Sequence, residues 1–297
     1  MKKHSPYRVV APGILDFSLG KRDEIITFLA KLIKARKGDV LIDVSYTIYI
    51  SEGGFLALRA QVEKAVHSEP GRRFTINRPK IRKAREYLKE QFIYAHQNNP
   101  DRTVFHVSTA VKKDDVSTNS VTDPEMVDKV VQGLKRIGVT TYFAPFYDFL
   151  VELIGNATEH GIRNKNINWW LIHYKEKGSK SIRYVFVDMG TGIVSSYRQA
   201  RLRFRYWLAR DRRIVRDALD GRLGSSTKQA NRGKGLPMIK EIVEKGYLSD
   251  FMLVSNGVTV VWDKREFVYL KNSNFVGTYY SWSISKDNVQ LWENSEL

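Results

Sequence analysis

At 297 residues with 42% hydrophobic side chains the chain can bury two separate cores, and its lack of cysteine excludes disulfides and thiolate metal sites and fits a reducing interior. No apolar run reaches the roughly 18 residues of a membrane span, and the opening Met1-Lys2-Lys3-His4-Ser5-Pro6 lacks an apolar signal region, so a cytoplasmic protein without a membrane partner is expected. The net charge of +17 is spread over both halves and exceeds what one bound small anion needs, so nucleic acid or an acidic protein partner stands beside the plainer reading of a merely basic protein.

Along the first hundred residues, strand-like runs near Val9 to Leu19, Val40 to Val44 and Arg73 to Ile76 alternate with helix-like runs. The latter lie near Arg22 to Ala35, Gly54 to Ala65 and Pro79 to Ala95. That alternation predicts a small α/β domain over 1–100. Residues Val40 to Ser45, followed by Ser51-Glu52-Gly53-Gly54-Phe55-Leu56-Ala57-Leu58, resemble the STAS domain of anti-sigma-factor antagonists. In that family the turn before the helix carries a phosphorylatable Ser or Thr. Here Glu52 occupies the acceptor position, with Ser51 just before it. Glutamate cannot take a phosphate but can imitate one. A local alternative is that Ser51 simply caps the helix.

Residues 101–124 belong to a polar, turn-rich connector that begins near Asn98, with one strand candidate at Thr103 to Val107. A helix from near Pro124 opens a second domain, 125–297. A further amphipathic helix is predicted from Phe146, Phe149, Leu150, Leu153, Ile154 and Ala157. Glu152, Asn156 and His160 lie four residues apart and share a face of it. An amide oxygen can hold a hard cation such as Mg²⁺, and a carboxylate one turn away can orient or deprotonate an attacking hydroxyl. An ordinary solvated helix face is the alternative.

Farther along, Ser181 to Val187 reads as a buried strand ending in Asp188-Met189-Gly190-Thr191-Gly192. This gives one fixed carboxylate beside glycines that let a ligand approach the backbone. Residues 198–222 hold nine arginines and three aspartates among apolar residues. They predict one long amphipathic helix whose arginines grip phosphate or an acidic partner, or else pair locally with the aspartates. Small residues from Gly224 to Asn231 suit a mobile lid. Asn231-Arg232-Gly233-Lys234-Gly235 then precedes a helical pattern, which leaves backbone N–H groups free for phosphate. Gly277-Thr278 opens a β-rich stretch to Ile284.

In this order and spacing, the four motifs resemble the GHKL family of Bergerat-fold, histidine-kinase-like ATPases over about 125–285, nearest in style to anti-sigma-factor Ser/Thr kinases. The resemblance implies an α/β sandwich that binds ATP and Mg²⁺. It implies Glu152 as general base, Asn156 as Mg²⁺ ligand, Asp188 on adenine with Gly190 and Gly192 beneath, and Thr278 supporting the base through water. Gly233, Lys234, Gly235 and Leu236 become the lid residues over the phosphates. The overall expectation is an α/β (α+β) protein, a STAS-like domain followed by this ATPase domain. Its nucleotide state would control a regulatory protein partner in a regulatory or defence role, by hydrolysis or Ser/Thr phosphorylation. A non-catalytic ATP-binding module contacting protein or nucleic acid is the alternative, and a homodimer stays open. Neither His96 nor His106 has a helical hairpin around it, so a histidine autokinase is not expected.

Overall fold

The computed structural model of the protein describes residues 6–35, 38–69, 71–91, 102–104, 115–118, 124–161, 169–176, 178–199, 208–223 and 235–296. The chain divides into two units, Met1–Val111 with Ser273–Phe275, and Lys112–Asn272 with Val276–Leu297. Both mix helices with sheets, so the class is α+β. Among the described residues no helix is long and apolar enough to cross a membrane.

In the first unit, β1 (Tyr7–Val10), β3 (Val40–Asp43) and β5 (Phe74–Asn77) run parallel, and β6 (Arg102–Val104) adds antiparallel to β5. Parallel neighbours need crossovers. These are supplied by α1 (Arg22–Lys34) and α2 (Glu52–Ser68), each accompanied by a short strand of the β2 (Ile14–Leu15) and β4 (Tyr49–Ile50) pair. Val40, Ile42, Phe74 and Ile76 of the sheet are buried, as are Ile25, Leu29, Leu56 and Ala60 of the helices. Ser51 caps α2: its hydroxyl accepts the Gly54 N–H at 3.0 Å and donates to the Leu15 carbonyl at 3.2 Å. Glu52 accepts the Tyr87 hydroxyl at 2.8 Å. Gly54 is required there, because a Cβ would lie 2.2 Å from the Leu15 carbonyl oxygen. The helix expected from Pro79 begins later, as α3 (Arg82–Gln91), since the Lys80 N–H is drawn to the Ser45 carbonyl at 3.1 Å instead.

The connector supplies a strand to each sheet. β6 joins the first, and β7 (Asp115–Thr118) pairs with β8 (Trp169–Tyr174) of the second. Residues 105–107 of the strand candidate, together with His96 and His106, lie outside the described residues. In the second unit the sheet order is β10–β11–β9–β8–β7, with β9 (Ser181–Asp188) antiparallel to both β8 and β11 (Glu266–Ser285). β10 (Ser249–Asp263) reaches β11 through Lys264-Arg265, both at positive φ, the conformation of the tightest hairpin turn.

Helices α4 (Pro124–Gln132) and α5 (Ala144–Gly161) belong to this unit. The apolar stripe of α5 predicted from Phe146 to Ala157 is buried throughout. Phe146 and Phe149 meet Trp282 edge-on, at 6.3 and 4.9 Å between centroids, and Trp282 stacks on its cross-strand partner Tyr184 at 5.4 Å and 4°. Truncating so large a buried ring to alanine costs about 3–5 kcal/mol. The remaining α-helices among the described residues are α6 (Ile193–Gln199), α7 (Asp211–Leu219), α8 (Gly235–Glu244) and α9 (Lys286–Glu293).

One expectation is overturned here. Residues 198–222 are not a single long helix: α6 ends at Gln199, Leu208 to Arg210 are not helical, and α7 starts afresh at Asp211. Arg210 has extended backbone (φ −62°, ψ 140°), and Arg198 folds back to donate to the Ala209 carbonyl at 3.0 Å and to Asp211 at 2.8 Å.

Candidate functional site

Asp188 ends β9 between two partners in register, Trp169 of β8 and Thr278 of β11. Its carboxylate is buried, and Oδ1 accepts the Gly190 N–H at 2.8 Å, which closes the turn that follows. Gly277, at φ +104°, approaches so closely that a Cβ would lie 2.1 Å from the Asp188 carbonyl oxygen. Backbone packing therefore fixes the strand end that carries the acid.

The loop after Asp188 is held from β10. Ser255 Oγ accepts the Ile193 N–H at 2.9 Å and donates to the Gly277 carbonyl at 3.2 Å. Asn256 Nδ2 donates to the Thr191 carbonyl at 3.0 Å and to Ser195 Oγ at 3.1 Å. Gly192, at φ +81°, leaves room for that amide, since a Cβ would meet Asn256 Oδ1 at 2.5 Å. Neither Ser255 nor Asn256 was expected at the site. The signal for them is faint: a Ser-Asn-Gly turn signature inside a β-rich run.

On the opposite wall, α5 packs against α8. The first residue of α8, Gly235, sits so close that a Cβ would lie 2.3 Å from Glu152 Oε2 and 3.1 Å from Asn156 Nδ2. The start of a helix carries partial positive charge, which favours an anionic group there. Asn156 Nδ2 is buried and has no hydrogen-bond partner among the described residues. A buried amide left unsatisfied costs about 1–3 kcal/mol, and a polar ligand removes that cost.

These walls enclose a cleft of about 620 Å³, counted out to open solvent. Six residues singled out from sequence line it together: Asn156, Asp188, Gly192, Gly235, Leu236 and Thr278. Glu152 stands beside it against Gly235, and Gly190 lies under the Asp188 turn. Gly233 and Lys234 lie outside the described residues, as does the side chain of His160. The cleft also recruits Leu153, Thr191, Ile193, Ser196, Tyr197 and Tyr280. Burial pushes the hydroxyl of Tyr280 up from its ordinary value, with the Asp188 charge adding to it, and burial alone does the same for Tyr197. Both therefore remain neutral hydrogen-bonding groups on the cleft wall. Among the described residues no three His, Cys, Asp or Glu side chains gather as a metal cage. A cation here would rest on few protein oxygens and on those of its ligand, the habit of Mg²⁺.

The described arginines of 198–222 mostly engage their own unit. Arg198 pairs with Asp211 at 2.8 Å, Arg213 with Asp217 at 3.7 Å and Arg222 with Asp220 at 3.2 Å, and Arg216 lies 4.9 Å from the centroid of the Tyr269 ring. Arg201, Arg203 and Arg205 lie outside the described residues. Compared with known proteins, the chain matches no family model, no curated protein and no solved structure.

Proposed function

We propose that the second unit binds ATP with Mg²⁺ and acts as a nucleotide-dependent switch of the GHKL ATPase or Ser/Thr-kinase kind, acting on a regulatory protein partner in the cytoplasm. The observation that carries this reading is the convergence of four separated stretches, 153–156, 188–197, 235–236 and 278–280, on one cleft. Asp188 offers a buried carboxylate to the exocyclic amine of adenine, with Thr278 opposite it in register. Leu153, Ile193 and Leu236 give the flat base apolar neighbours, and Ser196 and Tyr197 add hydroxyls for polar edges.

Mg²⁺, when bound, neutralises phosphate charge and makes the terminal phosphorus more open to attack. Asn156 lines the cleft one turn from Glu152 and would hold the cation through its amide oxygen, while its buried Nδ2 is left to donate to a phosphate oxygen. Glu152, one turn earlier on α5, supplies the carboxylate that orients an attacking hydroxyl and takes up its proton. The N-terminal end of α8 offers backbone N–H groups to phosphate. The first unit, similar in its motif to STAS domains, is proposed as the regulatory module. Ser51 and Glu52 hold local structure there, so no phosphorylation switch is assigned to them.

The decisive measurement is ATP binding by calorimetry together with phosphate release, alone and with candidate partners, in wild type and Glu152→Ala. Binding with turnover lost in the variant supports the switch. Binding without turnover under any condition supports the non-catalytic module, and no binding removes both.

A further inference from the structure

In the first unit, β3 and β5 run parallel with Ile42 beside Ile76, so the segments leaving their C-terminal ends emerge side by side. Asn77 fastens the two together: its amide oxygen accepts the Val44 N–H at 2.7 Å, and its Nδ2 donates to Ser45 Oγ at 2.7 Å. The Lys80 N–H bonds the Ser45 carbonyl at 3.1 Å. This platform presents Tyr46, Ile48 and Tyr49 from one segment and Arg78, Lys80 and Lys83 from the other, all of them exposed. Tyr46 keeps 64% of its surface in solvent although the Lys80 ammonium lies 4.6 Å from its ring centroid.

The nearby acids are already engaged. Glu86 pairs with Arg82 at 2.6 Å and Glu52 accepts from Tyr87, while Arg85 bonds the carbonyls of Pro79 and Lys80. Arg78, Lys80 and Lys83 make no ion pair with a carboxylate among the described residues. A ledge of exposed aromatic rings flanked by uncompensated cations is thus built from two loops stapled by the half-buried amide of Asn77.

We propose that this ledge binds single-stranded nucleic acid. A base stacks on the open side of the Tyr46 ring, Lys80 meets a phosphate from the other side, and Arg78 and Lys83 take neighbouring phosphates. An acidic peptide would satisfy the cations but leave exposed rings without a role. A duplex keeps its base faces stacked inside and cannot offer one to Tyr46. The inference is independent of the cleft in the second unit. It differs from the Arg-rich stretch, where most described arginines already have partners.

The test is fluorescence anisotropy of the full chain with labelled oligo(dT) or oligo(rU) of about 12 nucleotides, with a duplex and a poly-glutamate peptide as comparators. Single strands should bind best, with a log–log salt slope near −2, about −0.7 for each of three phosphates. Tyr46→Ala should weaken binding about tenfold and Tyr46→Phe should not. Replacing Arg78, Lys80 and Lys83 by Gln should flatten the slope. All these side chains are exposed, and circular dichroism melts check that the variants fold. Should Tyr46→Ala melt early, the Gln variant decides by its slope. Equal affinity for duplex, preference for poly-glutamate, no effect of these substitutions, or loss only when Arg210, Arg212 and Arg213 are replaced would each overturn the proposal.

Discussion

Asp188 and Thr278 stand opposite each other on β9 and β11, and the residue before Thr278 touches the Asp188 backbone so closely that only glycine fits. Gly277→Ala must relieve both a contact of 2.1 Å to a carbonyl oxygen and a φ of +104°. Neither can yield cheaply, because both partners are backbone. A loss of about 3 kcal/mol is expected, from overpacking and strain together. Denaturant unfolding measures it, and a variant as stable as wild type would contradict the packing described.

The acid itself can be tested with little disturbance. Asp188→Asn keeps the shape and an acceptor for the Gly190 N–H, but presents an amide where adenine's amine would need a full carboxylate. ATP affinity should fall at least tenfold, or about 1.4 kcal/mol. Titration calorimetry giving the same Kd as wild type would rule out this adenine contact.

Gly235 separates folding from chemistry. A methyl there meets side-chain ends rather than backbone, Glu152 Oε2 at 2.3 Å and, less tightly, Asn156 Nδ2 at 3.1 Å. Alanine is also the better helix former by about 1 kcal/mol. Gly235→Ala should therefore melt within a few degrees of wild type while turnover collapses, as in Glu152→Ala. Asn156→Ala should instead lose the Mg²⁺-dependent part of ATP binding. Normal phosphate release by Gly235→Ala would detach Glu152 from catalysis.

Asp43, in the first unit, predicts acid lability. Burial works against its charged form, but hydrogen bonds from Ser45, Asn77 and Arg8 outweigh that and hold its carboxyl well below the usual carboxylate range. A group whose pKa is depressed by folding stabilises fully above its unfolded value, about 3.9. That stability drains away as pH falls from there toward the folded value. Between about pH 6 and about pH 3 the wild type should lose more unfolding free energy than Asp43→Asn. Parallel pH dependences in urea titrations would show that another group dominates.

Legibility tracked how local each determinant is. The buried stripe of α5 and the β-branched run of β9 obey simple periods, so both were readable, and with them Glu152, Asn156 and Asp188. Leu208 to Arg210 carry apolar and basic residues that suit a helix, but the Arg198 contact to Ala209 and Asp211 breaks it, and that contact spans a gap no period encodes. Ser255 and Asn256 were missed for the same reason: they act on residues about sixty positions away. Tyr280 and Leu153 read as plain core, and only the fold turns them toward a cleft.

The glycines around the cleft also bear on how it would respond to an inhibitor. A molecule lodged against Gly192 and Gly235 touches positions where an added side chain collides with Asn256 or Glu152. Escape by substitution would fall instead to lining side chains whose backbones carry no such constraint, Leu153, Thr191, Tyr197 and Leu236 among them. Resistance selected against such a compound should cluster at the codons of those lining side chains and spare the glycines.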